Sequence, residues 1–254
     1  MFKIKLFFII FISSKLLSQE LPPIQSFMMD DYNASGQNWM ISQSSNGDIL
    51  FANNDGLLVY NGNKWNSYSS TSNTIVRSVN SINDIVYTGE NSDFGFWIKQ
   101  KNGSYVYTSI PNKYEFELFE DEEFWNILEF KNWIVFQSLD RFIFFDPISE
   151  VISSITPTGG VFKSFIIDNN LYFSINGQGI FKIDGGNYIP YNTNGIFTKN
   201  NIINVFKSAN NLLALTQYSG FYNILPNNKV SKWYSYLNEL DQLNVYSSIM
   251  NIDK

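Results

Sequence analysis

The 254-residue sequence contains no cysteine and no histidine. Without cysteine the chain has no disulfide bond and no thiol nucleophile, and without both residues it has no zinc or haem site of the usual kind. Histidine is also the commonest general base near neutral pH. We therefore predict no catalytic residue, no metal site and no cofactor, and we interpret the chain as a protein that is not an enzyme.

Positive charge is also scarce. The chain carries 17 Lys and Arg against 23 Asp and Glu, which gives a formal net charge of −6, and no long basic run occurs. Because an acidic chain repels phosphate, we expect this segment to bind no nucleic acid.

Long apolar runs are missing except near the N-terminus. There Leu6–Ile12 follows the positively charged Lys3 and Lys5, a pattern typical of a signal peptide over residues 1–18. An uncleaved anchor is the alternative, but Lys15 keeps the apolar run far below the roughly 20 residues of a membrane span. We therefore predict that the chain is exported.

What the chain has instead is a repeated pattern of short strands. Asn46–Tyr60, NGDILFANNDGLLVY, alternates polar turns with apolar strands, and later segments repeat it at a period of roughly 40 residues. Aligned on the polar residue that opens the strand, the repeats give Asp48, Asp84, Asn132, Asn170 and Asn211. This period without a helical pattern is typical of propeller blades. The sequence therefore predicts an all-β fold, a β-propeller of four-stranded antiparallel blades.

The repeats divide the chain into an N-terminal segment and a series of blades. Residues 19–38 form that segment, in which Gln25–Met29 is a candidate ring-closing strand, and residues 39–254 form the propeller. We place the blades at about 39–69, 76–110, 125–155, 162–191 and 202–234, with the start of another at 245. About five blades plus the first strand of a sixth indicate an incomplete ring. We expect the chain to be the N-terminal portion of a longer protein.

Two parts of the chain carry a family resemblance. Gln37-Asn38-Trp39, then NGDILFANNDGLLVYNGNKW and SNTIVRSV, resemble the opening of the two-component-regulator propeller proteins of Bacteroidetes. The segment NGIFTKNNIINVFKSANNLLALTQYSGFYNI is similar to that family's repeat, although the later repeats lack its typical Trp-x-Gly-Thr strand.

The resemblance implies a periplasmic sensor propeller that receives a signal. Members of this family continue into a triple-tyrosine domain, a transmembrane helix, and a LuxR-type helix-turn-helix or a histidine kinase. By this resemblance the membrane would be reached only through sequence beyond these residues, and the full-length protein is a candidate homodimer. Two alternatives stay open: a propeller-type carbohydrate-active enzyme that uses carboxylates, and a protein-interaction platform in the cell envelope.

The ligand of such a propeller would meet the loops between the second and third strands, which share a face with the inter-blade connections. The polar residues and one tyrosine that we predict there are Asn54, Asp55, Glu90, Asp93, Asp140, Arg141, Gln178, Gln217 and Tyr218. Polar groups with nearby aromatic rings suit an oligosaccharide or a peptide. The alternative is that these turns are polar only because they are exposed.

The innermost strands offer a second set of candidates. Counting seven residues back from three of the strand-opening positions gives Arg77, Lys163 and Asn204. Such side chains could ring a central channel and bind an anionic ligand, or they could form hydrogen bonds between blades.

Two acidic stretches have plainer interpretations. Glu115–Glu123 could attract a cation or a basic partner, but such a run is more often a solvated loop. The start of a calcium-binding loop is matched by Asp31, Asn33, Ser35 and Gly36, but the twelfth position is Ser42, which provides no carboxylate. We interpret this stretch as an Asx-rich turn.

Overall fold

The computed structural model describes residues 24–234 and 244–248. Five sheets of four antiparallel strands account for most of these residues. Blade 1 consists of β1 (Asn38–Gln43), β2 (Ile49–Asn53), β3 (Gly56–Tyr60) and β4 (Trp65–Tyr68). Blade 2 consists of β5 (Val76–Ile82), β6 (Ile85–Glu90), β7 (Phe94–Lys99) and β8 (Tyr105–Ser109).

The other three blades repeat this arrangement. Blade 3 consists of β9 (Phe124–Phe130), β10 (Trp133–Ser138), β11 (Phe142–Phe145) and β12 (Ile152–Ile155). Blade 4 consists of β13 (Lys163–Ile167), β14 (Asn170–Ile175), β15 (Gly179–Asp184) and β16 (Asn187–Asn192). Blade 5 consists of β17 (Ile202–Ser208), β18 (Asn211–Thr216), β19 (Gly220–Ile224) and β20 (Val230–Lys232). The predicted fold class is confirmed.

Within residues 24–234, three short helices accompany the blades. They are α1 (Met29–Tyr32), α2 (Ile110–Tyr114) and α3 (Gly195–Lys199), and the last two lie in connections between blades. The side chain of Ser109 accepts a hydrogen bond from the amide of Asn112 at the start of α2. Asn194 caps α3 in the same way. Caps of this kind satisfy amide groups that have no partner within a helix.

Every blade is a simple meander in which strands pair in chain order. The first strands of successive blades contact one another, from β1 through β5, β9 and β13 to β17. These first strands are therefore the innermost ones, as in a propeller. The apolar residues between neighbouring blades form separate core clusters; Leu50 and Val59 of blade 1, for example, pack with Val79 and Trp97 of blade 2.

Glycine begins the third strand in several blades because space there is limited. Gly56 has a φ of 126°, and a Cβ atom added to it would lie 2.2 Å from the carbonyl oxygen of Tyr68. Gly179 has a φ of 105° and the same relation to Asn192, at 2.6 Å. Only glycine combines a left-handed backbone with such a close approach. These glycines therefore allow β3 and β15 to lie close to the strands that follow them.

The five sheets do not close into a ring within the described residues. Residues 24–28 form no strand, and α1 begins directly after them. Phe27 and Tyr32 pack instead on Trp65, with ring centroids 5.1 and 5.4 Å apart. The pairing of Gln25–Met29 into a last blade therefore stays a prediction.

Residues 244–248 lie beside blade 5, where the next blade would begin. The amide of Val245 donates to the carbonyl oxygen of Gln217 (2.9 Å), as Val161 donates to Leu139 at the start of blade 4 (2.7 Å). These five residues form no strand of their own. The predicted strand Val245–Ile249 extends outside the described residues, and a sixth blade stays a prediction.

Candidate ligand-binding site

One face of the propeller carries the turns between second and third strands together with the connections between blades. We call it the connection face; its turns lie at 54–55, 91–93, 139–141, 176–178 and 217–219, and its connections at 69–75, 110–123, 156–162 and 193–201. Each innermost strand also begins at this face. Side chains at the start of β1, β5 and β9 are therefore brought together around the axis.

Four innermost strands contain a β-bulge near this face. The pairing with the second strand shifts between Asn38 and Met40, between Val76 and Ser78, between Phe124 and Asn126, and between Ile202 and Asn204. The extra residues are Trp39, Arg77, Trp125 and Ile203. Bulges re-aim side chains and are common beside functional sites.

The register corrects the predicted equivalence of Arg77, Lys163 and Asn204. Ile82 pairs with Ile85, whereas Ser208 pairs with Asn211, so Asp84 is a turn residue and Asn211 is a strand residue. Counting from these two residues therefore gives positions that differ by one. The bulge of β17 places Ile203, which is buried, at the position of Arg77.

Arg77 lies between two tryptophans from the neighbouring blades. Its guanidinium carbon is 4.3 Å from the ring centroid of Trp39 and 4.9 Å from that of Trp125. The two indole rings meet edge to face, with centroids 5.6 Å apart. Cations near tryptophan faces are attracted by the ring quadrupole. We call these three residues the Trp–Arg cluster.

Hydrogen bonds fix the orientation of the cluster. Arg77 Nη2 donates to Glu123 Oε1 at 2.9 Å, and Arg77 Nε donates to Asn91 Oδ1 at 3.2 Å. Trp39 Nε1 donates to Asn54 Oδ1 at 2.8 Å. Residues from the turns of blades 1 and 2 and from the connection before blade 3 thus hold one charged and one aromatic group in place.

Two features of the cluster leave it open to a ligand. The Trp39 residue is 41% exposed, so part of its ring faces solvent. Trp125 Nε1 is buried and has no hydrogen-bond partner among the described residues. Because buried polar groups are normally paired, this N–H is a donor that a ligand or water oxygen would satisfy. The site suits an uncharged polar ligand with apolar faces, because it combines an exposed aromatic ring with a paired cation and carboxylate and with side-chain amides.

Two of the predicted residues meet here: Arg77 belongs to the cluster, and Asn54 accepts the hydrogen bond of its Trp39. Sequence reasoning missed Trp39, Trp125, Glu123 and Asn91 as site residues. A usable signal was the tryptophan at the start of both blade 1 and blade 3. The bulges that turn these residues toward the axis depend on pairing and left no signal in the sequence.

The other predicted residues are dispersed over the connection face and the innermost strands. Asp55 accepts the amide of Ser35, Gln178 Nε2 donates to the carbonyl of Thr158, Gln217 bonds both Asn201 and Asn244, and Asn204 Nδ2 donates to the carbonyl of Ser248. Asp140, Lys163 and Tyr218 are exposed. Their roles in ligand binding stay predictions.

Three predicted residues are instead enclosed in the protein. Glu90 and Asp93 lie together in blade 2, exposed by 0% and 2%. Arg141 pairs with Glu122 through two bonds, from Nε to Oε1 at 3.0 Å and from Nη2 to Oε2 at 2.8 Å. Its guanidinium also stacks on Phe119, 3.8 Å from the ring centroid. Part of the acidic run 115–123 is therefore packed, and Arg141 faces Glu122 rather than solvent.

The opposite face carries a groove of about 250 Å³ between blades 3 and 4. It is lined by Trp133, Phe144, Ile155, Ile183 and Asp184, among others. No charged side chain from a third blade reaches it among its lining residues. The Trp–Arg cluster, to which three blades contribute, is the better-built candidate for recognition.

No protein-family model matches this chain, and no curated protein sequence matches it. Solved structures do resemble it. The extracellular domain of the putative hybrid two-component system BT4673 from B. thetaiotaomicron superimposes with a TM-score of 0.59 and 15% identity. That of BT3049 from the same organism superimposes with a TM-score of 0.62 and 12% identity. The chain has the same propeller fold.

The coverage of these structures is unequal. The alignments include 81% and 82% of this chain but only 28% and 31% of the BT4673 and BT3049 domains, so the chain spans less than a third of their length. A catalytically inactive virginiamycin B lyase from Staphylococcus aureus, in a structure with quinupristin, also matches, with a TM-score of 0.56 and 16% identity over 78% of this chain and 70% of that one. The same fold thus occurs in extracellular domains of two-component systems and in a lyase. In the described part of the chain, no helix is long and apolar enough to cross a membrane.

Proposed function

We propose that this chain is the ligand-receiving propeller of an exported sensor protein, and that the Trp–Arg cluster binds the ligand. The carrying observation is that bulges in three successive innermost strands aim Trp39, Arg77 and Trp125 at one point. The likeness to the extracellular domains of two hybrid two-component systems supports the sensor role.

The ligand class follows from the chemistry of the cluster. The charge of Arg77 is already paired with Glu123, so the site as a whole favours a neutral ligand over an anion. A partly exposed indole offers an apolar face, while Asn54, Asn91 and the free Trp125 N–H offer polar groups at its rim. An oligosaccharide or a peptide presents the matching surfaces.

The sensor would act from the periplasm and pass its signal through sequence outside this segment. The predicted signal peptide and the similarity to extracellular domains support export. Membrane anchoring, a transcriptional or kinase output and homodimer formation belong to the same proposal. These features require a longer protein. The chain covers less than a third of the BT4673 and BT3049 domains, which supports that part of the proposal.

An enzymatic role has less support. Of the four carboxylates that a glycosidase or lyase could use, Glu90 and Asp93 are enclosed, and Asp55 and Asp140 belong to different blades. A glycosidase needs two carboxyl groups on either side of an accessible bond. We therefore propose that the propeller binds its ligand without converting it.

Removal of Trp39 tests the proposal. A panel of neutral oligosaccharides and peptides is screened against the full chain, and the best ligand is titrated by calorimetry. We expect Trp39→Ala to weaken binding at least about tenfold, because a buried aromatic contact contributes on the order of 1.5 kcal/mol.

Trp233→Ala is the matched control, since Trp233 is 39% exposed but lies after the outermost strand of blade 5. It should bind as the unmodified chain does. Equal losses in both variants, or a ligand that is consumed during the titration, would contradict the proposed site or the proposed lack of catalysis.

A further inference from the structure

Blade 2 buries two carboxylates beside each other. Glu90 ends β6 and Asp93 immediately precedes β7, and they close one turn in which the amide of Glu90 donates to the carbonyl oxygen of Asp93 at 2.9 Å. Both residues are almost fully enclosed. None of the ion pairs between described residues includes either of them. Two negative charges in such a place are costly unless a cation or protons neutralise them.

Hydroxyl groups surround the two carboxylates. Ser70 and Ser72 donate to Glu90 Oε2 at 2.5 and 2.9 Å, Thr88 donates to Glu90 Oε1 at 3.2 Å, and Ser109 donates to Asp93 Oδ1 at 2.7 Å. Burial raises the pKa of both carboxyls, although these hydrogen bonds oppose the shift. The surrounding groups are all oxygen atoms, which are the ligands of hard cations.

Two oxygen atoms at this place make no hydrogen bond of ordinary geometry with the described residues. One is Asp93 Oδ2, and the other is the hydroxyl of Tyr107, a residue that is only 8% exposed. The Tyr107 hydroxyl lies beside both carboxylates. Burial is the main cause that raises its pKa, and the charges of Glu90 and Asp93 raise it further. Buried polar atoms without partners call for a bound group. Here both atoms belong to a cluster of two buried carboxyl groups that take part in no ion pair among the described residues.

We propose that Glu90 and Asp93, with Ser70, Ser72 and Tyr107, bind one calcium ion inside blade 2. Two carboxylates balance the charge of a divalent cation. With at least one of them bidentate, the carboxylates and the three hydroxyl groups supply the six or more oxygens that calcium takes. Magnesium fits less well, because it demands strict octahedral geometry and retains water molecules, for which an enclosed site leaves little room.

This site differs from a conventional acidic calcium loop. Among the described residues no group of three or more Asp and Glu is placed to hold a metal, so hydroxyl oxygens must complete the set. The ligands come from the connection before blade 2, from the turn between β6 and β7, and from β8. A bound ion would therefore join the connection before blade 2 to the blade itself. This inference is independent of the ligand proposed for the Trp–Arg cluster.

Calcium content and thermal unfolding of the full chain test the inference. After purification with calcium and removal of free ions, elemental analysis should find about one calcium per chain. At pH 7.5, a saturating concentration of calcium should raise the unfolding midpoint by about 5 °C above that in chelator, and an equal concentration of magnesium should raise it far less.

Asp93→Asn should abolish the calcium-dependent rise. Asp140→Asn, which removes an exposed carboxylate from the corresponding turn of blade 3, should retain it. If the unmodified chain keeps no calcium and its midpoint is the same in calcium and chelator, the inference is wrong and the carboxyl pair holds protons instead. A rise that persists in Asp93→Asn would equally overturn it, because the ion would then bind elsewhere.

Discussion

Blades 2 and 3 differ in the buried charged residues at the turn between their second and third strands, which are acidic in blade 2 and basic in blade 3. The turn of blade 2 carries Glu90 and Asp93, and the preceding connection supplies the hydroxyls of Ser70 and Ser72. The turn of blade 3 carries Ser138 in the place of Glu90 and Arg141 in the place of Asp93, since the amide of Ser138 donates to the carbonyl of Arg141.

The connection before blade 3 supplies the negative charge. Glu122 accepts from Ser138 Oγ at 2.8 Å and from both ends of the Arg141 fork. Blade 3 thus pairs its buried carboxylate with a cation of its own, whereas no ion pair among the described residues includes Glu90 or Asp93 of blade 2. The comparison teaches that the same backbone position can carry an acidic or a basic residue, and that the connection packed against it decides whether that residue has an ionic partner.

The largest effect should come from removing the cation of blade 3. Arg141→Met leaves Glu122 buried with only the Ser138 hydroxyl as a side-chain donor. We expect the free energy of unfolding in urea to fall by about 3 to 5 kcal/mol, the usual cost of stranding one partner of a buried pair. Lys113→Met, which breaks an exposed pair with Glu150, is the control and should leave the unfolding curve unchanged. A loss below about 1 kcal/mol in Arg141→Met would contradict the comparison.

A sharper test exchanges one carboxylate for its amide in each blade. Glu122→Gln should lower the free energy of unfolding by about 2 to 3 kcal/mol, because the Arg141 charge loses its counterion. Asp93→Asn, measured in chelator, should change it by less than about 1 kcal/mol, since the amide oxygen can still accept from Ser109 and the charge repulsion is gone. Urea unfolding measures both.

Equal losses in the two amide variants would show that both carboxylates are paired alike. That result would remove the contrast between the blades, and with it the reason for a cation in blade 2. The unmodified chain and Asp93→Asn must both be measured in chelator. Otherwise bound calcium would stabilise the unmodified chain, and Asp93→Asn would lose that stabilisation in addition to the effect of the amide.

A smaller change in the free energy of unfolding is expected at Asp48. This carboxylate has a cation partner, as Glu122 does, but that partner, Lys99, is partly exposed. Burial opposes its ionisation, but hydrogen bonds from Lys99, Tyr105 and Asn46 outweigh burial and lower the pKa of Asp48. A carboxyl whose pKa is lowered by folding stabilises the protein above its unfolded pKa, and this stability is lost as the pH falls through the folded pKa.

Lys99→Met should therefore cost about 1 kcal/mol at pH 7, and the cost should shrink as the pH falls below about 4. Urea unfolding at pH 7 and pH 3 measures the difference. A cost that is the same at both pH values would mean that Lys99 contributes through packing of its side chain rather than through the Asp48 charge.

The blades themselves were predictable because turn chemistry and strand alternation are local. Gly56 and the polar residues before it predicted the turn between β2 and β3, and alternating apolar residues predicted the flanking strands. The candidate site was less predictable. Asn54 and Arg77 were found because they stand at turn and strand positions, but their partners Trp39 and Trp125 approach them from other blades.

The wrongly predicted equivalence of Arg77 and Asn204 shows the physical limit of sequence patterns here. The turn between β5 and β6 and the turn between β17 and β18 look alike in sequence. Asp84, however, lies in its turn, whereas Asn211 is already paired in a strand. A bulge adds a residue to one strand without changing its composition. Register across strands is set by side-chain packing on both faces, which a single repeat does not contain.

The sequence by itself determined the class of fold, the repeat and the acidic, cysteine-free chemistry, because these depend on residue types and on neighbours along the chain. Only the tertiary structure decided which polar residues are buried and what neutralises them. Arg141 and Glu90 were both candidates for ligand binding from their turn positions. The sequence did not show that Arg141 pairs with Glu122 or that Ser70 and Ser72 enclose Glu90. Burial and pairing depend on segments that pack together from different blades, and these give a charged residue its role.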